Sequence, residues 1–338
     1  MRKVCVVTVT YGKRWKLLRE VLTTVISHHP AISDIIVVDN GSDDDIPGLV
    51  SQLGSDKIKV IRLKENTGSA NGFKVGIEAA LNTDAEFFWL LDDDNRPEQY
   101  CLVRLLRAYE ALGEDPNNVL LSLRRDRKEY VEAVHEGFRV GIKANSFLGF
   151  HLKDVPQKIV RRLRKRRKTL GNYDLSNCRY PLISVGYAPY GGLLFHRSWV
   201  GEIGFPSEQF YVYSDDHEYT SRIIQHGGRI YLCAFSEVED LEQSWHIKTA
   251  RFHPLIDPSS NEVRLYYTTR NRVNLEITHY VKSHFIYRLN MLIYLSWLTF
   301  YGFVTFKSPI NLWRRLKCLI RAIQHGLSGR LGIVEVLK

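Results

Sequence analysis

Apolar positions switch between two periods along the first 125 residues. Lys3–Thr10 is β-branched and apolar almost throughout, the pattern of a strand buried on both faces. Trp15–Ser27 instead sets Leu17, Leu18, Val21, Leu22 and Val25 at helical spacing. Ile35–Val38 is predicted as a second strand ending at Asp39, and Lys57–Leu63 as a third. Ser69–Leu81 returns to helical spacing, with Asn66, Gly68 and Gly72 at its entrance. Phe87–Leu91 is a fourth predicted strand, running into Asp92, Asp93 and Asp94, and Pro97–Leu112 is again helical. Strands alternating with helices indicate an α/β fold whose parallel sheet is covered on both faces. Such sheets bind ligands beyond the carboxyl ends of their strands. Tyr11, Asp39, Asn66 and Asp92–Asp94 all fall there, which points to a nucleotide site.

The pattern then loosens. Val131–Leu182 is less regular and is predicted to be a mobile lid or an acceptor loop; it holds the basic run Lys158–Lys168. Gly186–Arg197 is glycine-rich and then strand-like. Ser214 is predicted to cap a helix from Asp215 to about Gln225, stopped by Gly227-Gly228. Arg229–Cys233 reads as a short strand. After Pro258 the chain turns helical: Asn261–Val281 is mixed, Leu289–Phe306 carries no charge over 18 residues, and Pro309–Gln324 is helical and basic. The expected division is a domain over 1–257, with a nucleotide-binding half (1–125) and an acceptor half (183–250), and a helical region over 258–338.

The 338 residues suffice for one large α/β domain with an appendage, or for two domains, and 44% hydrophobic content suits an ordinary buried core. The five cysteines are far apart, odd in number and without a CxxC pair, so neither a zinc knuckle nor a disulfide framework is suggested. That usage fits a reducing cytoplasm. The N-terminus reads as a buried strand and not as a signal peptide. A net charge of +10 favours anionic partners. From Phe285 onward one acid, Glu335, faces eight Lys or Arg residues.

Several acidic groups then gain chemical meaning. Three adjacent carboxylates repel one another, and are useful where a divalent cation bridges them to a second anion; a solvated acidic turn is the plainer reading. Asp39, in Val37-Val38-Asp39-Asn40-Gly41-Ser42, is placed to accept from a base or a ribose, or simply to form an Asp-Asn-Gly turn. Asn66-Thr67-Gly68-Ser69-Ala70-Asn71-Gly72 opens a helix whose N-terminus favours negative charge. It is neither a dinucleotide fingerprint nor a P-loop. Asp215 and Asp216 begin a helix whose dipole favours their ionised form, as a general base needs, or they only cap it. Phe210, Tyr211 and Tyr213 precede them as a sugar platform or as core. His246 is an ordinary structural histidine unless the suspected metal site recruits it.

Together VTVTYGKR, VVDNGS, NTGSANG, WLLDDDN and YVYSDDHEY resemble family 2 glycosyltransferases, over about residues 3–250. SDDHEYTSR looks closest to bacterial galactofuranosyltransferases, and Asp215-Asp216, where many relatives have Glu-Asp, supports that reading; LYYTTRN (Leu265–Asn271) is similar both to that group and to rhamnosyltransferases. The resemblance implies the GT-A fold, a Rossmann-like, mostly parallel sheet flanked by helices. It implies inverting transfer from a nucleotide-diphosphate sugar to a glycan hydroxyl, with UDP-galactofuranose the favoured donor and dTDP-rhamnose the runner-up. By the same resemblance Asp216 is the catalytic base and Asp215 orients the acceptor hydroxyl. Thr8, Tyr11, Asp39, Asn66, Gly68, Asp92, Asp93, Gly191 and Gly192 serve the donor. Asp92, Asp94 and His246 hold Mn2+ or Mg2+, and Tyr211, Tyr213 and Trp245 are sugar-stacking candidates for the acceptor.

Leu289–Phe306 is at the lower length limit for a spanning helix. Peripheral attachment to an anionic membrane surface, at the inner face of the cytoplasmic membrane, is the expectation; a core helix and a spanning helix are the alternatives. A lipid-linked acceptor suits such attachment. A nucleic-acid-binding module explains Arg161–Lys168 but not the strand-end acids, which repel a phosphate backbone, so no nucleic-acid partner is expected. A nucleotidyltransferase lacks its Gly-rich, Lys/Arg-containing loop after Val9. The sequence is silent on oligomeric state.

Overall fold

The computed structural model describes residues 2–28, 30–156, 178–242, 253, 255–257, 261–305 and 309–334. The basic run Lys158–Lys168, Trp245 and His246 lie outside the described residues. The chain divides into two units. The first takes the described residues of Met1–Gly141, Asp174–Tyr211 and Asp215–Ile247; the second takes those of Ile142–Tyr173, Val212–Ser214 and Lys248–Lys338. The boundary expected after residue 257 thus falls inside the second unit, which also takes in part of the loosely patterned middle.

The first unit is built on strands β1 (Val4–Thr10), β2 (Ile32–Asn40), β3 (Ile58–Leu63), β4 (Phe87–Asp92), β5 (Asn95–Pro97), β6 (Asn118–Leu123), β7 (Leu182–Val185), β8 (Leu193–His196) and β9 (Arg229–Asp240). Its helices are α1 (Trp15–His28), α2 (Ile46–Ser51), α3 (Ser69–Leu81), α4 (Cys101–Ala111), α5 (Lys128–Glu136), α6 (Ser198–Ile203) and α7 (Asp215–Gln225). The strands order as β3-β2-β1-β4-β8-β6-β9-β5, with β7 also on β9.

β3, β2, β1 and β4 run parallel, as the βα alternation predicts. From β8 onward the sheet is mixed. β8 is antiparallel to both β4 and β6, β6 and β9 are parallel, and β5 and β7 are antiparallel to β9. The direction of β8 has a local cause. Its chain enters at the carboxyl end of β4, where Gly192 N donates to Leu90 O at 2.9 Å, so it can only run back along β4.

Alternation along β1 sorts the core. Cys5, Val7 and Val9 join one apolar cluster, under Phe73, Ile77 and Ala80 of α3. Val4 and Val6 join the other, under Leu18, Val21, Leu22 and Val25 of α1 and Leu102, Leu105 and Leu106 of α4. Helices on both faces shield a sheet that is buried on both sides. The parallel register sets the strand ends level, pairing Thr10 with Asp39 and Val9 with Asp92.

The second unit contains α8 (Glu262–His279), α9 (His284–Thr305) and α10 (Pro309–Leu327). Leu265, Val273, Tyr287, Tyr294, Leu298, Leu316 and Leu319 form its core with Phe147 and Ile256. Glu276 is buried there, taking hydrogen bonds from Arg272 Nε (2.9 Å), Leu148 N (3.0 Å) and Tyr287 Oη (3.1 Å). No helix among the described residues is long and apolar enough to cross a membrane.

Because α3 carries the loop before it onto the strand ends, its apolar face fixes that loop. Ile77 is fully buried in that face. Ile77→Ala is expected to destabilise the protein by about 2–5 kcal/mol, read as a lower urea midpoint. An unchanged midpoint would show that α3 does not hold this face of the sheet.

Candidate active site

The acidic triplet is divided by its surroundings. Asp93 is buried and accepts from Thr10 Oγ1 at 2.7 Å and from Arg14 Nε at 2.9 Å. The same guanidinium reaches Asp94 Oδ2 at 2.9 Å and also pairs with Glu242. Asp93 therefore ties the ends of β1 and β4 to the start of α1. Its carboxylate is committed to the protein, and Asp94 shares the same guanidinium.

A second cation lies behind them. Arg124 is nearly fully buried, pairs with Asp240, and has Asp92 Oδ2 4.0 Å away. Asn95 joins the groups: its Nδ2 donates to Asp94 Oδ1 and to Asp240 Oδ1, both at 3.0 Å, and its Oδ1 accepts from Asp92 N at 3.3 Å. The side chain of Asp92 is 39% exposed, yet its surroundings are crowded. Desolvation and the Asp94 charge push its carboxyl up to about 7, against the pull of Arg124. Desolvation and the charges of Asp240 and Asp93 push Asp94 up to about 6, against Arg14 and Arg124. The two arginines thus stabilise the cluster without fully neutralising it.

The loop 66–72 is fixed from β2. Asn40 Nδ2 donates to Gly68 O at 3.0 Å, and its Oδ1 accepts from Thr67 N at 2.9 Å. Asn66 Oδ1 accepts from Gly68 N at 2.9 Å. Gly68 has φ +86°, and a Cβ there would sit 2.1 Å from Tyr211 O, so only glycine fits. Ala70 N donates to that same carbonyl at 3.2 Å. Ser69 Oγ then reaches Asp215 Oδ2 at 2.9 Å, joining the start of α3 to the start of α7.

α7 follows a strained approach, since Tyr211, Tyr213 and Ser214 all have φ between +60° and +65°. Ser214 thus precedes α7 in a left-handed conformation rather than the extended one typical of a cap. Asp215 is buried, and desolvation together with the Asp216 charge holds its carboxyl well above the usual range. Asp216 is the more open of the pair; its Oδ1 accepts from His217 N at 2.7 Å, and His217 Nε2 lies 3.8 Å from its Oδ2.

Gly191 closes the site from the β8 side. A Cβ there would lie 1.8 Å from Asn95 Oδ1 and 2.8 Å from Asp92 Oδ2. Gly192 follows it, bonded to β4 through Leu90 O. Thr220 Oγ1 accepts from Ala188 N at 2.9 Å, so α7 also holds this loop.

The remaining candidates are placed as follows. Asp39 Oδ1 accepts from Ser42 N at 2.8 Å, the expected turn, and Arg62 Nε lies 3.3 Å from Oδ2. Tyr11 is exposed at the end of β1, with the Arg14 guanidinium 5.2 Å from its ring. Thr8 is fully buried in β1, two residues before the Thr10 that reaches Asp93. Tyr213 belongs to the second unit, where its hydroxyl accepts from Arg264 Nε at 3.1 Å and Asn271 Nδ2 donates to the Val212 and Tyr213 carbonyls.

Arg14, Asn40, Ser69, Asn95, Arg124 and Asp240 are site residues that sequence reading missed. Arg14 lies within the first quoted motif, one turn past a strand end, and that position was its only signal. Arg124 and Asp240 fall in none of the quoted motifs and meet only in the folded sheet.

A hard divalent cation fits the oxygen donors of Asp92 and Asp94. Their raised affinity for protons marks negative charge that the protein leaves incompletely balanced. No group of three or more His, Cys, Asp or Glu that could hold a metal gathers among the described residues. Two carboxylates with a diphosphate and water supplying further oxygens is a common Mg2+ arrangement.

Residues 5–174 match the family described as Glycosyl transferase family 2. Galactofuranosyltransferase GlfT1 of Mycolicibacterium smegmatis is 25% identical over 291 residues, covering 80% of this chain and 81% of the relative. Among solved structures, S. aureus TarS (residues 1–349) in complex with UDP-GlcNAc aligns with a TM-score of 0.52 and 16% identity, over 95% of this chain and 81% of that one. GalNAc-T7 with UDP, GalNAc and Mn2+ aligns with a TM-score of 0.53 and 14% identity, over 81% of this chain and 48% of that one. This chain therefore spans about half the length of GalNAc-T7. The α/β core with its central sheet and flanking helices has the GT-A fold, and the chain belongs to glycosyl transferase family 2.

Proposed function

We propose that the chain is a metal-dependent, inverting galactofuranosyltransferase. It moves galactofuranose from UDP-galactofuranose to a hydroxyl of a lipid-linked or polysaccharide glycan acceptor, in the synthesis of a bacterial cell-surface polysaccharide. The observation that carries this reading is the convergence of the two acidic segments: the loop that α7 holds through Thr220 and Ala188 packs on Asp92 at Gly191, and Ser69 joins Asp215 to the start of α3. A donor anchor and a candidate base within one site are what a single displacement requires. The mycobacterial relative named as a galactofuranosyltransferase supports the sugar, and the structures solved with UDP or UDP-GlcNAc support a uridine nucleotide.

Asp216, the more open carboxylate, takes the acceptor proton as the hydroxyl oxygen attacks the anomeric carbon opposite the leaving nucleotide. Asp215, held by Ser69 and favouring its protonated form, orients the acceptor hydroxyl through a hydrogen bond. The positive end of the α3 dipole favours the developing diphosphate charge. Mn2+ or Mg2+ held by Asp92 and Asp94 would supply electrostatic stabilisation of that charge. Arg14 positions Asp94, and Asn95 links Asp94 to the Asp92 backbone.

Asp216→Asn is expected to lower transfer by about 100-fold or more while UDP binding stays near normal by calorimetry; full turnover would remove Asp216 from the base role. Asp94→Ala is expected to weaken the metal-dependent part of UDP binding. The metal assignment also has a pH signature. Asp92 and Asp94 retain protons up to about 7 and about 6, and a cation must displace them. Mn2+ affinity, titrated without nucleotide, is therefore expected to fall as pH drops through that window and to level off above it. An affinity independent of pH there would argue against these ligands. A thermal-shift panel of nucleotide sugars with Mn2+ tests the donor: stabilisation by a thymidine nucleotide alone would overturn the uridine reading.

A further inference from the structure

α9 is apolar on both of its faces. Tyr287, Asn290, Tyr294, Leu298 and Gly302 turn inward at helical spacing. The opposite stripe carries Phe285, Leu289, Leu292, Phe300 and Phe303, at the same spacing and facing outward. Phe285, Phe300, Phe303 and Val304, with Ile310 at the start of α10, are 67% to 79% exposed. A soluble surface rarely exposes a contiguous run of this kind without a partner.

α10, the next helix, has a different chemistry. It buries Leu312, Leu316, Leu319 and Ile323, and its outward side mixes Trp313 and Ile320 with Arg314, Lys317 and Arg321. Lys317 lies over the Trp313 ring at 5.4 Å, and Arg314 pairs with Glu262. The two helices touch where they join: a Cβ on Gly302 would lie 2.6 Å from Leu312 Cδ1. Phe303 and Val304 therefore end close to the start of the basic helix.

We infer that the outward faces of α9 and α10 form a docking surface for a lipid bilayer carrying anionic headgroups. The apolar stripe enters the boundary between headgroups and acyl chains, and Arg288, Lys317 and Arg321 meet the phosphates. The charge selects this occupant. A second copy would bring like-charged bases together around the apolar stripe. A nucleic acid would meet exposed phenylalanines at the centre of the surface. The bilayer answers both halves, since aromatic and basic side chains together suit its interface. This surface goes beyond the proposed transfer reaction.

The full chain is floated with vesicles of phosphatidylcholine alone or mixed with phosphatidylglycerol, at low and at high salt. Co-flotation is expected with the anionic vesicles and is expected to weaken with salt. Phe300→Ser with Phe303→Ser, and separately Lys317→Glu with Arg321→Glu, are each expected to reduce the bound fraction about tenfold or more. UDP-induced thermal stabilisation, unchanged in both variants, shows that they fold and separates failure here from failure of the donor assignment. The inference is overturned by no flotation of the unaltered chain, by equal flotation on neutral and anionic vesicles, or by variants that float like it. Lipid-free self-association abolished by the phenylalanine variant would also overturn it, naming a second copy as the occupant.

Discussion

The pair formed by Arg14 and Asp93 is the constraint on which the site depends. Three carboxylates in a row at a strand end would repel one another and stay solvated. Turning the middle one inward makes the arrangement stable, but a buried carboxylate without a partner is costly. Arg14 and Thr10 supply that partner from the end of β1 and the turn after it. The pair therefore holds two parallel strands in register at the ligand end. The same guanidinium reaches Asp94, and desolvation with the neighbouring acidic charges still pushes the Asp92 and Asp94 carboxyls upward.

The segment before α7 shows a similar use of unfavourable local structure. Left-handed φ at Tyr211, Tyr213 and Ser214 costs energy in each case, and persists only where the surroundings enforce it. The enforcing contacts are specific. Gly68 and Ala70 pack on and bond the Tyr211 carbonyl, while Asn271 takes the Val212 and Tyr213 carbonyls within the second unit. The result places Asp215 against Ser69 at the head of α3. One loop therefore contributes both to the expected diphosphate cradle and to fixing the acidic pair, which explains why its glycine tolerates no side chain.

Much of this was legible in the sequence. The apolar period located β1, β3 and β4 to within a residue or so, and gave α3 its observed bounds, Ser69–Leu81. It also placed the acids at strand ends, because period and strand termination are local properties. Strand direction is not local: alternation in Leu193–His196 reads the same either way, and the reversal at β8 comes from where its chain enters. β9 extends to Asp240, well past the expected end at Cys233, because its acids are matched from other elements: Glu237 by Arg125, Glu239 by Arg96 and Asp240 by Arg124. Charged residues that read as the end of a strand are tolerated once their partners arrive through folding.

The same distinction between local and tertiary signals governs α9. An uncharged stretch of 18 residues reads alike whether it is core, spans a bilayer or lies on one, because hydropathy counts residues and not faces. The fold separates the faces. Tyrosines, Leu298 and Gly302 build the core with α10, and Asn290 satisfies the carbonyl of Asn145 at 2.9 Å. A purely buried helix would have no use for a second apolar stripe, and no helix among the described residues is long and apolar enough to cross a membrane. An apolar outward face beside a basic helix is the combination that a helix lying in a membrane surface requires.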